Sequence, residues 1–245
     1  MTTRVLRFES AEELHHASAG AIIQFLNEAI RESGKGTLML SGGSTPEAVY
    51  RQLAAENFRS QLDWASVHVF WGDERCVHPA EKESNFRMAY EALLQHVPIP
   101  GRNIHRIQGE LSPKIAAETY EQHMREFFSL KNDGVPRFDV TLLGLGEDGH
   151  TASLFPKTTI LNETSRLVAD VFVPKLDAHR ISVTYPVINN SATLMFIVTG
   201  AGKATVLRDV REGDADRYPA GKIQPRNGNL FWYIDRDAGS KLRSL

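Results

Sequence analysis

The chain has 245 residues, enough for a sizeable core in one α/β domain or two small ones, and its 42% hydrophobic and 24% charged residues are ordinary for a globular protein. A formal charge of -2 argues against nucleic acid or an anionic membrane surface as the main partner, while leaving room for a local basic pocket. The single cysteine, Cys76, excludes an intrachain disulfide, Met1 to Arg7 lacks the apolar core of a signal peptide, and no apolar run approaches the ~20 residues that span a bilayer; a cytoplasmic location is the expectation, while the oligomeric state is not given by the sequence and a monomer is favoured.

Ser10-Ala-Glu-Glu13 has capping-box spacing, and Leu14, Ala17, Ala21, Phe25 and Ala29 follow at helical intervals until Ser33-Gly34 ends the helix. Thr37 to Leu40 reads as a buried strand, and after Ser41-Gly-Gly-Ser-Thr-Pro46 a second helix runs from Glu47 to Ala55. The next strand, Val67 to Trp71, stops at Gly72-Asp-Glu-Arg75; Asn85 to Leu94 and Ser112 to Leu130 are helical. Phe138 to Leu143 is a strand that delivers the chain into Gly144. Further strands are expected at Leu167–Val173, Arg180–Thr184, Leu194–Thr199 and Leu230–Ile234. A helix between the last two ends at Arg211, and Glu212 to Asn229 reads as a long surface loop. Short apolar strands alternating with amphipathic helices imply an α/β, doubly wound, Rossmann-like fold. Its sheet is mainly parallel with helices on both faces. No repeat or linker divides the chain, so residues 1–245 are expected to form one domain.

In such sheets ligands bind beyond the carboxyl ends of the strands, and four unusual loops start there. In the first, Gly42 and Gly43 allow close backbone approach, the helix start offers free N–H groups, and Ser44 and Thr45 add hydroxyls. That describes an anion cradle, although a tight turn with a Ser/Thr cap accounts for part of it. In Gly200-Ala-Gly-Lys203 a lysine stands at the positive end of a helix, which suits a bound anion, and the spacing does not fit a Walker motif. In Trp71-Gly-Asp-Glu-Arg75, strand alternation points Asp73 and Arg75 one way and Glu74 the other.

The fourth loop, Gly144-Leu-Gly-Glu-Asp-Gly-His150, matches G-x-G-x-x-G, but Glu147 and Asp148 would repel a pyrophosphate. Asp148 two residues before His150 suits a general base and the carboxylate that orients it. No HExxH, Cys/His cluster or G-x-S-x-G elbow is present, so neither a metal nor a serine nucleophile is expected.

Four segments carry a resemblance to a known family: Leu40-Ser-Gly-Gly-Ser-Thr-Pro46, Gly72-Asp-Glu-Arg75 with Glu83-Ser-Asn-Phe86, Gly144 to Pro156, and Arg180-Ile-Ser-Val-Thr184. In this order the chain resembles the 6-phosphogluconolactonases, within a superfamily that also holds glucosamine-6-phosphate deaminase/isomerases. The resemblance implies cofactor-free hydrolysis of a phosphosugar lactone, with Arg180 and Lys203 holding the phosphate beside Gly43, Ser44 and Thr45. It assigns His150 as base, Asp148 as its orienter, Arg75 to the oxyanion and Asp73 to the sugar hydroxyls. The deaminases place a glutamate at the position of Phe155, which here favours hydrolysis. A deaminase/isomerase remains the alternative, and a non-catalytic sugar-phosphate sensor the remoter one.

Overall fold

The computed structural model describes residues 2–243. The elements run in the order β1 (Thr2–Phe8), α1 (Ala11–Ser33), β2 (Gly36–Leu40), α2 (Ser44–Ala54), α3 (Glu56–Arg59), β3 (Val67–Trp71), β4 (Asp73–Arg75), α4 (Asn85–Ala92) and β5 (Ile104–His105). They continue with α5 (Pro113–Phe127), β6 (Val140–Leu143), β7 (Val168–Val173), β8 (Ala178–Val183), α6 (Tyr185–Asn189), β9 (Thr193–Val198), α7 (Ala204–Glu212) and β10 (Asn229–Asp235).

Seven strands form a parallel sheet in the order β1-β10-β9-β6-β2-β3-β5. β2, β6 and β9 are buried along their whole length, as strands covered on both faces must be. Phe25 of α1 meets Phe231, whereas Arg211 of α7 lies over Trp232, so neighbouring side chains of β10 face helices on opposite sides. On β3, Trp71 likewise meets Phe86 of α4 while Phe70 packs against Tyr120 and Phe127 of α5. This is the doubly wound architecture expected from the alternation of elements.

Where the observed elements depart from expectation, partner choice is the reason. β1 was not foreseen because it is an edge strand without a single buried residue, so no apolar pattern marks it. The α1 stripe is turned slightly: Ser18, Ile22 and Leu26 are buried, while Ala17, Ala21 and Phe25 lie at its margin. The segment Asp73–Arg75, read as a loop, is strand β4, and with β7 and β8 it makes a separate antiparallel sheet in the order β4-β8-β7. The expected surface loop at 212–229 is partly built of 3-10 turns that bury Pro219, Ala220 and Ile223. Lys222 and Arg226 of that segment are exposed.

The sequence order reverses between β2 and β6. From β2 the chain moves outward through β3 and β5, and from β6 it moves the other way through β9 and β10. The loops leaving β2 and β6 therefore diverge and leave a crevice at the carboxyl edge. The small sheet stands beside this crevice, because β4 continues directly from β3.

Candidate active site

A cavity of about 470 Å³ opens at that crevice. Gly42, Gly43, Ser44 and Thr45 line it after β2, Asp73 and Arg75 on β4, His150 after β6, Arg180 on β8, and Lys203 after β9. Asp148 is the one sequence-assigned residue that does not line it; it stands behind His150.

The Gly144–His150 loop is shaped around the imidazole. Gly146 N–H donates to the carbonyl of His150 at 2.8 Å, and Gly149 N–H to that of Gly146 at 3.0 Å. A Cβ on Gly146 would collide with the His150 ring, and Gly149 sits at φ 78° with no room for a side chain beside Tyr218. Of the glycines that imitate a nucleotide fingerprint, Gly146 is required by the histidine itself and Gly149 by its positive φ and by Tyr218. From the 212–229 segment, Ala220 N–H donates to Gly149 carbonyl at 2.9 Å and braces the loop from behind.

His150 Nδ1 is 2.5 Å from Asp148 Oδ1. Partial burial works against the charge on Asp148, but hydrogen bonds from His150 and Lys175 outweigh it and hold the carboxyl down at about 2. An ionised carboxylate only accepts, so Nδ1 is the donor in this contact, and in the neutral ring the lone pair lies on Nε2. Phe155 stacks on the ring with centroids 3.9 Å apart and planes 22° from parallel, which fixes the plane of the imidazole.

The opposite wall is just as constrained. Asp73 is 8% exposed; its Oδ2 accepts from Ser153 Oγ at 2.7 Å, and Asn85 Nδ2 donates to its backbone carbonyl at 2.9 Å. Glu74 points the other way, as the alternation required. Its carboxylate accepts from the N–H groups of Asn85 and Phe86 at 2.7 and 2.8 Å and so caps α4. Burial nevertheless pushes its affinity for a proton up, against those hydrogen bonds. Arg75 lies directly opposite Arg180 across the β4–β8 ladder, and Arg75 Nη1 donates to Glu83 carbonyl. Burial, then the charge of Arg75, makes Arg180 easier to deprotonate than an ordinary arginine.

The cradle expected at 42–45 starts earlier than the sequence indicated. Gly43, at φ 105°, is the N-cap of α2, and no side chain caps that helix. Ser44 and Thr45 are therefore free of capping duty, and Thr45 Oγ1 meets Thr199 Oγ1 at 2.7 Å, tying this loop to the one bearing Lys203. Behind that second loop, both oxygens of Asp235 accept from Gly200 N–H at 3.0 and 3.1 Å. Arg75, Arg180 and Lys203 form no ion pair with any described residue. Three cations without an ion-pair contact outnumber Asp73 around this cavity, in a chain of net charge -2, an arrangement suited to an anion.

The family "Glucosamine-6-phosphate isomerases/6-phosphogluconolactonase" matches residues 9–232 by its sequence model. The chain belongs to that family. A relative from Nostoc sp. named 6-phosphogluconolactonase is 43% identical over 229 residues, covering 92% of each chain. A relative of the same name from Synechocystis sp. is 44% identical over 222 residues, covering 89% of each. Among solved structures, the 6-phosphogluconolactonase of Trypanosoma brucei superposes with a TM-score of 0.86 at 27% identity, over 99% of both chains. A monomeric glucosamine-6-phosphate deaminase, at 21% identity and a TM-score of 0.79, shares the fold.

Three contributors to the site escaped the sequence reading. Lys175 and Asp235 sit in segments that look like ordinary surface turns. Asn85 stands out in the sequence as a helix start and within the Glu83–Phe86 segment, neither of which shows that its side chain supports Asp73. Cys76 is no contributor, since burial pushes its thiol up to about 11 and keeps it from acting as a thiolate.

Proposed function

We propose that this member of the family hydrolyses 6-phospho-D-glucono-1,5-lactone to 6-phospho-D-gluconate, with His150 activating the water. The observation that carries the reading is the Asp148–His150 pair, with its free Nε2 at a cavity lined by unpaired cations. Names of relatives covering most of the chain supply the substrate, and it follows that the protein serves the oxidative pentose phosphate route.

In this mechanism Gly42, Gly43, Ser44 and Thr45 receive the 6-phosphate at the start of α2, with Lys203 and Arg180 supplying fixed charge. His150 Nε2 takes a proton from water as its oxygen attacks the lactone carbonyl carbon. Charge builds on the carbonyl oxygen, where Arg75 stabilises it, while Asp73 orients sugar hydroxyls. The carbonyl then re-forms, the bond from C1 to the ring oxygen breaks, and His150 returns its proton to that oxygen. Asp148 stabilises the imidazolium between the two transfers. No carboxylate other than Asp148 hydrogen-bonds His150 among the described residues, and the aromatic ring of Phe155 covers it where the deaminases place a glutamate.

The test is direct. The lactone is generated in situ from glucose 6-phosphate by a dehydrogenase, and its loss is followed with and without the protein. Loss faster than the spontaneous rate supports the proposal; an unchanged rate ends it, and ammonia release from glucosamine 6-phosphate would establish a deaminase instead.

A further inference from the structure

Lys175 occupies the short turn Pro174–Leu176 that joins β7 to β8. Its side chain is 67% exposed, yet its ammonium lies 2.9 Å from Asp148 Oδ2, the oxygen that His150 leaves unused. Asp148 comes from the large sheet and Lys175 from the small one, so the contact ties the catalytic loop to the opposite wall of the cavity. A long, mostly solvated side chain loses entropy in holding one such geometry, and an isolated surface pair of this kind contributes little to stability. Its effect is instead electrostatic and local.

We propose that Lys175 is a positioning residue for the reaction proposed above, one that fixes the Asp148 carboxylate through its second oxygen and balances its charge. The reaction proposed above needs the triad to begin as ammonium, carboxylate and neutral imidazole. A carboxylate hydrogen-bonded to imidazole alone favours the imidazolium, which has no lone pair with which to take a proton from water. The ammonium opposes that tendency while the carboxylate still orients the ring. Other charged groups face this pair from neighbouring elements. Arg75, Arg180 and Lys203 line the same cavity, Asp73 is held by Ser153, and Glu147 points towards Gly202. Tyr218, which packs on Gly149, gives its hydroxyl to Asp209. Besides His150, only Lys175 among the described side chains hydrogen-bonds the Asp148 carboxylate.

This inference rests on the lactonase reading, and its test separates the two. The titration of His150 is followed by imidazole NMR in the full chain, with the signal assigned by loss in His150→Gln, in parallel with pH profiles of kcat/KM. Lys175→Met should move the His150 midpoint and the acid limb of kcat/KM up together by roughly half to one pH unit, with KM on the plateau changed less than about twofold. Lys175→Arg should restore both. A midpoint unmoved by Lys175→Met overturns the inference, as does an acid limb that stays in place when the midpoint moves. A large rise in KM with both unchanged would make Lys175 a substrate contact instead. If the wild-type chain hydrolyses no lactone while the midpoint still moves, the reaction assignment fails and the charge balance stands.

Discussion

His150 and Lys203 line one cavity, and in the proposed mechanism they act on different parts of the substrate, so kinetics can separate them. His150 acts while protons move, so His150→Ala should lower kcat by roughly 10²- to 10⁴-fold and leave KM within about twofold. Lys203 holds a group that stays charged throughout, so Lys203→Ala should raise KM by about tenfold or more with a smaller change in kcat. Steady-state assays on the in situ lactone check both, and a His150→Ala enzyme with near-normal kcat removes it as the base. Neither residue carries the geometry alone. The plane of His150 comes from Phe155 and its tautomer from Asp148, so the chemistry of one side chain is set by two neighbours in the same loop and its continuation.

At the scale of the element, the Gly144–His150 loop gives up side chains for proximity. Gly146→Ala puts a methyl group where the imidazole lies, so the ring or the backbone must move. A loss of about 1–3 kcal/mol of stability is expected, together with a kcat at least tenfold lower. Urea denaturation and steady-state rates measure the two; normal kcat in the Gly146→Ala enzyme would show that the ring's position is not critical.

A second element-scale feature lies away from the cavity. His68 on β3, His105 on β5 and His123 on α5 form a hydrogen-bonded chain, with contacts of 3.0 and 2.6 Å. Burial, then the neighbouring His123 and His68, pushes His105 down to about 3. The unfolded chain takes up a proton at this residue below about pH 6.5, whereas the folded chain does so only near 3. Stability from this residue is therefore intact above the unfolded value and falls as the pH drops, levelling near the folded one. The slope should approach about 1.4 kcal/mol per pH unit between roughly pH 6 and 4. His105→Phe should flatten that slope in denaturation curves; an unaltered slope would place the acid sensitivity elsewhere.

At the scale of the whole molecule, the site is where two sheets meet. The large parallel sheet brings the Gly42–Thr45 loop, His150 and Lys203, while the small antiparallel sheet brings Arg75, Arg180 and Lys175. Ser153 joins them: its hydroxyl donates to Asp73 at 2.7 Å and its N–H to Ser182 Oγ at 3.2 Å. Ser153→Ala leaves the buried Asp73 carboxylate without its hydroxyl donor, and a loss of about 2 kcal/mol is expected with a rise in KM as Asp73 loosens. Thermal denaturation and KM measure these, and unchanged values for both would remove Ser153 as the link.

The local features were legible without a structure. Strand and helix alternation, the four loops at strand ends and the Asp148–His150 spacing depend on residues close in the chain, where periodicity and turn chemistry speak directly. Which strands pair is a different question. β4, β7 and β8 read as strands or strand ends of one sheet because a period of two names no partner, and β1 shows no apolar signal at all. Lys175 reaches Asp148 across 27 residues and Ser153 reaches Asp73 across 80, distances over which no spacing rule applies. The sequence alone determined the chemical groups and the loops that carry them. Only the tertiary structure decided that Arg75 faces Arg180 and that Lys175 completes Asp148, because those contacts follow from how two sheets pack around one crevice.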